Sequence, residues 1–85
     1  MARKSTRNVN AFTPLQVGYR LEETRVSMNL TVQEFADKIG IPEMTYYNYR
    51  NGKFFPRAEI IGKIRTAFGL SADYLLFGDS RAKVA

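Results

Sequence analysis

Apolar residues recur along this chain at intervals of three and four, the spacing that lines one face of a helix, and short polar or glycine-containing breaks divide the pattern into five stretches. The first opens at Thr13-Pro14-Leu15-Gln16, a hydroxyl cap followed by proline at the first helical position, and Leu15, Val17, Leu21 and Met28 form its apolar stripe. Thr31 caps the second, and Glu34 three residues on completes a capping box. Phe35, Ala36 and Ile39 then share a face, while Gln33, Asp37 and Lys38 point outward. Gly40 stops this helix by turning left-handed at little cost, Ile41 plugs the angle beyond it, and Pro42 suits the first turn of a third helix. There Thr45, Tyr46 and Tyr49 share a face, which leaves Glu43, Met44, Tyr47, Asn48 and Arg50 for something outside, and Asn51-Gly52 ends the helix. Pro56 begins a fourth helix with the apolar face Ile60, Ile61, Ile64, Ala67 and Phe68, closed by Gly69. Ser71 caps a short fifth that carries Tyr74, Leu75, Leu76 and Phe77 before Gly78.

The expected fold is all-α: a compact five-helix domain over residues 13–78, flanked by a flexible basic arm (1–12) and a flexible tail (79–85). Within it, residues 31–53 read as two short amphipathic helices joined by a tight glycine turn, a helix-turn-helix. The second helix of such a pair is held proud of the domain, where it can enter a DNA groove. Eighty-five residues allow one domain and no separate ligand-sensing one. With no cysteine there is no disulfide, thiolate or cysteine-based zinc chemistry, and neither a cofactor nor a metal is expected. No apolar run approaches the ~20 residues of a membrane span, and the basic start lacks the core of a signal peptide, so the expected location is cytoplasmic and no membrane partner is expected.

The net charge of +5 is unevenly spread. Arg3, Lys4 and Arg7 carry +3 over residues 1–12, whereas eight bases against seven acids leave residues 13–78 at only +1. Bulk charge is therefore not the argument for nucleic acid. Local placement is: Arg50, Lys53 and Arg57 fall within eight residues that contain no acid, at the end of the outward helix and in the loop after it.

Several pieces, in order and at the right spacing, resemble one known family. They are Leu30-Thr31 and Ala36 in the first motif helix, Gly40, Asn51-Gly52-Lys53 after the second, Pro56, and Gly69-Leu70-Ser71-Ala72-Asp73-Tyr74-Leu75-Leu76. Over residues 15–78 the chain resembles the Cro/C1-type (lambda repressor-like, or XRE-like) DNA-binding domains. The resemblance implies a bacterial or phage-derived chain working at the nucleoid, with Tyr46 and Tyr49 at aliphatic core positions. It also exposes three departures. Val32 stands where the family usually has a glutamine that braces the recognition helix. Arg25 and Arg50 stand where an Arg–Glu pair often ties the first helix to the third, so Arg50 must turn to Glu22, to solvent or to phosphate. Pro42-Glu43 opens the recognition helix in place of a basic or amide residue.

Base contacts are expected from Glu43, Met44, Tyr47 and Asn48. The Asn48 amide can bond bidentately to adenine, Glu43 can accept from cytosine N4, Met44 can touch a thymine methyl, and the Tyr47 phenol can stack or donate. For Glu43 the competing explanation is an acid stabilising a helix N-terminus, and for Tyr47 and Asn48 ordinary surface polarity. Backbone contacts are expected from Thr31, Gln33, Arg50, Asn51, Lys53 and Arg57, with Arg3, Lys4 and Arg7 following the backbone or entering a minor groove. Of Phe54 and Phe55, one is expected to pack against the fourth helix or the Tyr49 side and the other to be exposed. The fifth helix has more apolar residues than it can turn inward, which suggests a homodimer contact through Tyr74 or Phe77.

An enzyme is not indicated, because the chain has no histidine, cysteine or glycine-rich phosphate cradle and Glu22-Glu23 diverge on a helix. Two functional classes follow. One is a repressor-like, sequence-specific regulator that binds double-stranded DNA as a homodimer on a palindromic operator. The other is a helix-turn-helix domain repurposed as an antiactivator that captures another transcription factor through Val32, Met44, Tyr47, Phe54 and Phe55.

Overall fold

Capping chemistry sets where the helices begin. In the structure, a computed structural model that describes residues 13–78, the Thr13 side chain accepts from the Gln16 amide and opens α1 (Pro14–Ser27). Thr31 opens α2 (Val32–Ile39), and Ser71 opens α5 (Ala72–Phe77) by accepting from the Tyr74 amide. Between them lie α3 (Glu43–Arg50) and α4 (Ala58–Phe68), whose N-termini have no side-chain cap. The all-α, five-helix expectation holds for the described residues. The arm and the tail, with Arg3, Lys4 and Arg7, lie outside them.

Two boundaries differ from expectation. Pro42 and Pro56 both precede their helices instead of starting them. Pro42 is extended (φ −67°, ψ 154°) and is the N-cap of α3. Arg57 takes the same extended shape before α4, and its carbonyl accepts from the Ile60 and Ile61 amides. The helix thus starts two residues after Pro56, which is itself buried. Asn29 turns left-handed (φ 58°) between α1 and α2, a conformation asparagine tolerates better than most residues.

One core gathers all five helices: Val17 and Leu21 from α1, Phe35, Ala36 and Ile39 from α2, Tyr46 and Tyr49 from α3, Ile60 and Ile64 from α4, and Tyr74 and Leu75 from α5. Phe35 is its hub, stacked on Phe68 at 4.6 Å and edge-on to Tyr46 at 5.4 Å. The expected stripe on α1 is only half right. Val17 and Leu21 are fully buried, but Leu15 and Met28 lie on the surface, as does Ala67 on α4. The buried place on α1 goes instead to Arg20, 3% exposed, whose guanidinium donates to the Leu75 and Leu76 carbonyls at 2.9 and 3.2 Å. It caps the C-terminal end of α5, where orphan carbonyls need donors. α1 packs across α3 and α5, while α2 packs across α3 and α4. α3 is therefore held from behind by two helices.

Candidate nucleic-acid interface

The turn between α2 and α3 is built by Gly40, left-handed at φ 72°, after which the Ile41 amide reaches back to the Ala36 carbonyl at 3.0 Å. Ile41 is buried, the plug expected at the angle. At the start of α2 the capping box is complete: the Glu34 amide donates to the Thr31 hydroxyl oxygen at 3.1 Å, and the Thr31 amide donates to the Glu34 carboxylate at 2.8 Å. Thr31 uses its oxygen as an acceptor there, which leaves its hydroxyl hydrogen for a ligand. Gln33 is exposed beside it, and Val32 is half-buried against the core.

On α3 the helical period sorts the residues cleanly. Tyr46 and Tyr49, three apart, point into the core at 0% and 4% exposure. Glu43 with Tyr47 and Met44 with Asn48 form two pairs four apart on the outer side, where Glu43 and Met44 are exposed and Tyr47 and Asn48 half-buried. The four candidate base-reading residues thus share one face.

Arg50 has a partner that the sequence did not suggest. Its guanidinium carbon lies 4.7 Å from the centre of the Tyr47 ring, a cation–π contact within its own helix. Glu22 is already claimed, because Arg25 grips it with Nε at 3.1 Å and Nη2 at 2.7 Å. The hydrogen bonds from Arg25 hold the Glu22 carboxyl below the usual carboxylate range, against the opposing effect of burial. Two like charges that cannot pair with each other have found separate partners.

The loop after α3 ends that helix with its own amides. Those of Asn51 and Lys53 donate to the Tyr47 and Asn48 carbonyls, each at 2.9 Å, and the Gly52 amide donates to Tyr49 at 3.1 Å. Any phosphate contact from Asn51 or Lys53 therefore falls to the side chain, and both residues are exposed. Arg57 is exposed too; its 3.8 Å approach to Glu59 joins two largely solvated side chains and constrains it little. Phe54 packs edge-on against Tyr49 at 5.5 Å and keeps 46% exposure, while Phe55 keeps 37%. Phe54 thus takes the expected place beside Tyr49, and both rings stay partly exposed.

On α5 the candidate dimer residues separate. Tyr74 is buried, and its hydroxyl donates to Glu23 at 3.2 Å, so it is not presented to a second copy. It turns in because α5 is short and rests its inner face on α1. Phe77 is the outward one, at 48% exposure.

A family model described as "Helix-turn-helix domain" matches residues 18–80, most of the chain and all of the motif. The chain belongs to that helix-turn-helix family. It is 36% identical over 61 residues to the SPbeta prophage-derived uncharacterized HTH-type transcriptional regulator YonR of Bacillus subtilis (strain 168), covering 72% of this chain and 56% of that protein. It is 38% identical over 64 residues to the uncharacterized HTH-type transcriptional regulator YqaE of the same organism, covering 75% and 55%. It is 34% identical over 61 residues to the cryptic phage CTXphi transcriptional repressor RstR of Vibrio cholerae, covering 72% and 54%. The chain spans little more than half the length of these curated relatives. They are regulators, and the family gives no reason to look for an enzyme.

Sequence reasoning missed Gly18 and Glu22, both on α1, as determinants of this surface. A β-carbon on Gly18 would lie 2.0 Å from the Tyr49 carbonyl oxygen and 2.9 Å from the Arg50 Cα, so α1 and the end of α3 meet backbone to backbone. A glycine in the middle of a capped helix was the available signal.

Proposed function

We propose that the chain is a sequence-specific DNA-binding transcription regulator, repressor-like, that inserts α3 into the major groove. The observation that carries this reading is the shared outer face of Glu43, Met44, Tyr47 and Asn48, with Arg50, Lys53 and Arg57 following in a stretch without acids. Asn48 is the foremost base reader. Thr31, Gln33, Asn51, Lys53 and Arg57 hold the phosphate backbone on either side, and Arg50 stands ready on the Tyr47 ring. The N-termini of α3 and α4, which no side chain caps, add donors and the positive ends of two helix dipoles. The names of YonR, YqaE and RstR support the regulatory reading, and RstR supports the repressor sense.

In this reading the domain is of the Cro/C1 type, works in the cytoplasm and binds a palindromic operator as a homodimer, its half-sites about one turn, ~34 Å, apart. Phe77 is the surviving candidate for the contact between copies. The experiment is a gel-shift titration, at two salt concentrations, with a duplex selected from a random-sequence pool by this chain. Affinity falls steeply with salt, each phosphate contact adding about 0.9 to the log–log slope, and Arg57→Ala lowers that slope by about one. Asn48→Ala weakens binding to the selected duplex about tenfold and leaves an unrelated duplex unaffected.

A second reading, capture of another transcription factor, draws on the exposure of Met44 (68%), Phe54 and Phe55 around the same helix. It predicts weak salt dependence and sensitivity to Phe54→Ala, and an absence of duplex selection in the titration would favour it.

A further inference from the structure

The Glu22 carboxylate has three donors. Arg25 supplies two, and the third is the Tyr46 hydroxyl, which donates to Glu22 Oε1 in a short hydrogen bond from the middle of α3. Arg25 also spends its remaining Nη1 on the Leu30 carbonyl at 2.6 Å, one residue ahead of the α2 cap. One carboxylate on α1 is thus tied directly to α3 and, through Arg25, to the entrance of α2. One turn earlier on α1, Gly18 lets the backbone of Tyr49 and Arg50 close onto it. α3 accordingly meets α1 at two places along its length, at Tyr46 and at its C-terminal end. Two such points fix the tilt of a rod where one would leave it free to pivot.

We propose that Glu22 is the positioning residue of α3: acting through the Tyr46 hydroxyl, it sets the pose in which Asn48 and its neighbours are offered to base edges. This rests on reading α3 as the DNA-contacting helix. A carboxylate is suited to the task because it accepts from donors on two helices at once, and charge-assisted bonds to it are directional. It takes over a bracing role that Arg25 and Arg50, carrying like charge, cannot perform with each other. The Tyr46 ring is fully buried and held edge-on against Phe35, so the hydroxyl, not the ring, is the part that can be removed without disturbing the core.

The test uses the full chain, with Tyr46→Phe to delete the hydroxyl and Glu22→Gln to keep an acceptor for it. Two quantities are read: residual dipolar couplings of the α3 amides relative to those of α1, without DNA, and the affinity ratio between the selected duplex and an unrelated duplex of equal length. Tyr46→Phe is expected to reorient the α3 amides as a group and to reduce the affinity ratio about tenfold, the worth of one base contact, with affinity for the unrelated duplex unchanged. In Glu22→Gln the amide oxygen still accepts from Tyr46 and most of the ratio is retained. Couplings and ratio at parent values in Tyr46→Phe would overturn the proposal, as would an equal loss on both duplexes, which marks a stability effect alone. A parent chain with no preference between the duplexes would overturn the DNA reading instead, and the couplings would then decide the brace by themselves.

Discussion

Two glycines lie inside helices of this domain, and their surroundings are opposite. Around Gly18 on α1 the space for a side chain is already filled by the backbone of α3. Around Gly62 on α4 nothing comes within 4 Å, and the residue faces an open groove lined by Lys38, Glu59, Lys63 and Thr66. Both give up the helix propensity that alanine would supply, about 0.5–1 kcal/mol each. At Gly18 that loss is the condition for two helices to touch, whereas at Gly62 it serves no contact. The seam between α1 and α3 is built to close tolerance, and the groove beside α4 is not.

Substitution at Gly18 breaks this contrast most directly. Gly18→Ala places a β-carbon on the Tyr49 carbonyl oxygen, and since backbone cannot rotate aside as a side chain would, the helices must separate. The expected cost is about 3 kcal/mol, at the upper end for overpacking, read as a lower denaturation midpoint in urea at unchanged slope. A midpoint equal to the parent's would mean that α1 and α3 do not meet backbone to backbone.

The next effect is at Arg20, on the same helix. Arg20→Ala leaves the Leu75 and Leu76 carbonyls without their guanidinium donor and is expected to cost about 2 kcal/mol. The loss is local first: in native-state hydrogen exchange the α5 amides lose protection ahead of those of α2 and α3. Uniform loss across all helices would show that Arg20 supports the core as a whole rather than the end of α5.

These two residues also mark where the sequence was legible and where it was not. The α2–turn–α3 unit could be read because its determinants are local. Thr31 and Glu34 are three residues apart, Gly40 needs only its own backbone, and the inward pair Tyr46 and Tyr49 follows the helical period. α1 was misread because its determinants are distant. Leu15 and Met28 are apolar but stand at the ends of the helix, past the edge of the core, while Arg20 is charged yet satisfied by carbonyls 55 and 56 residues away. A hydrophobicity pattern registers what a side chain is and not what waits for it across the fold. Of the candidate site, the outward face of α3 was legible by the same local logic. The partners of Arg25 and Arg50 were not, because Glu22, Tyr46 and Tyr47 compete for them in three dimensions.

A smaller effect sharpens the contrast through pH. Glu22, with its pKa lowered chiefly by the hydrogen bonds from Arg25, contributes stability that is complete above the ordinary carboxylate range. That contribution is lost as pH falls through the lowered folded-state value, once the unfolded chain already binds the proton. The groups facing it are Arg25 from α1 and Tyr46 and Arg50 from α3. Thermal melts between pH 7 and pH 3 should therefore show the parent losing melting temperature more steeply at the acid end than Glu22→Gln does. Parallel curves would mean that the carboxylate contributes no proton linkage at the seam.

The smallest effect has the opposite sign and belongs to the open side. Gly62→Ala adds a methyl group where no atom stands in the way, so the only change is the conformational freedom that the unfolded chain loses. Stability should rise by about 0.5–1 kcal/mol, measured by the same urea midpoint as Gly18→Ala. Because the groove that Gly62 lines includes none of the candidate DNA-contacting side chains, binding to the selected duplex should stay at the parent value. Two chemically identical substitutions in two helices would then move stability in opposite directions. If Gly62→Ala proved destabilising instead, the groove beside Lys38 and Lys63 would have to close in solution, and α4 would be as constrained there as α1 is against α3.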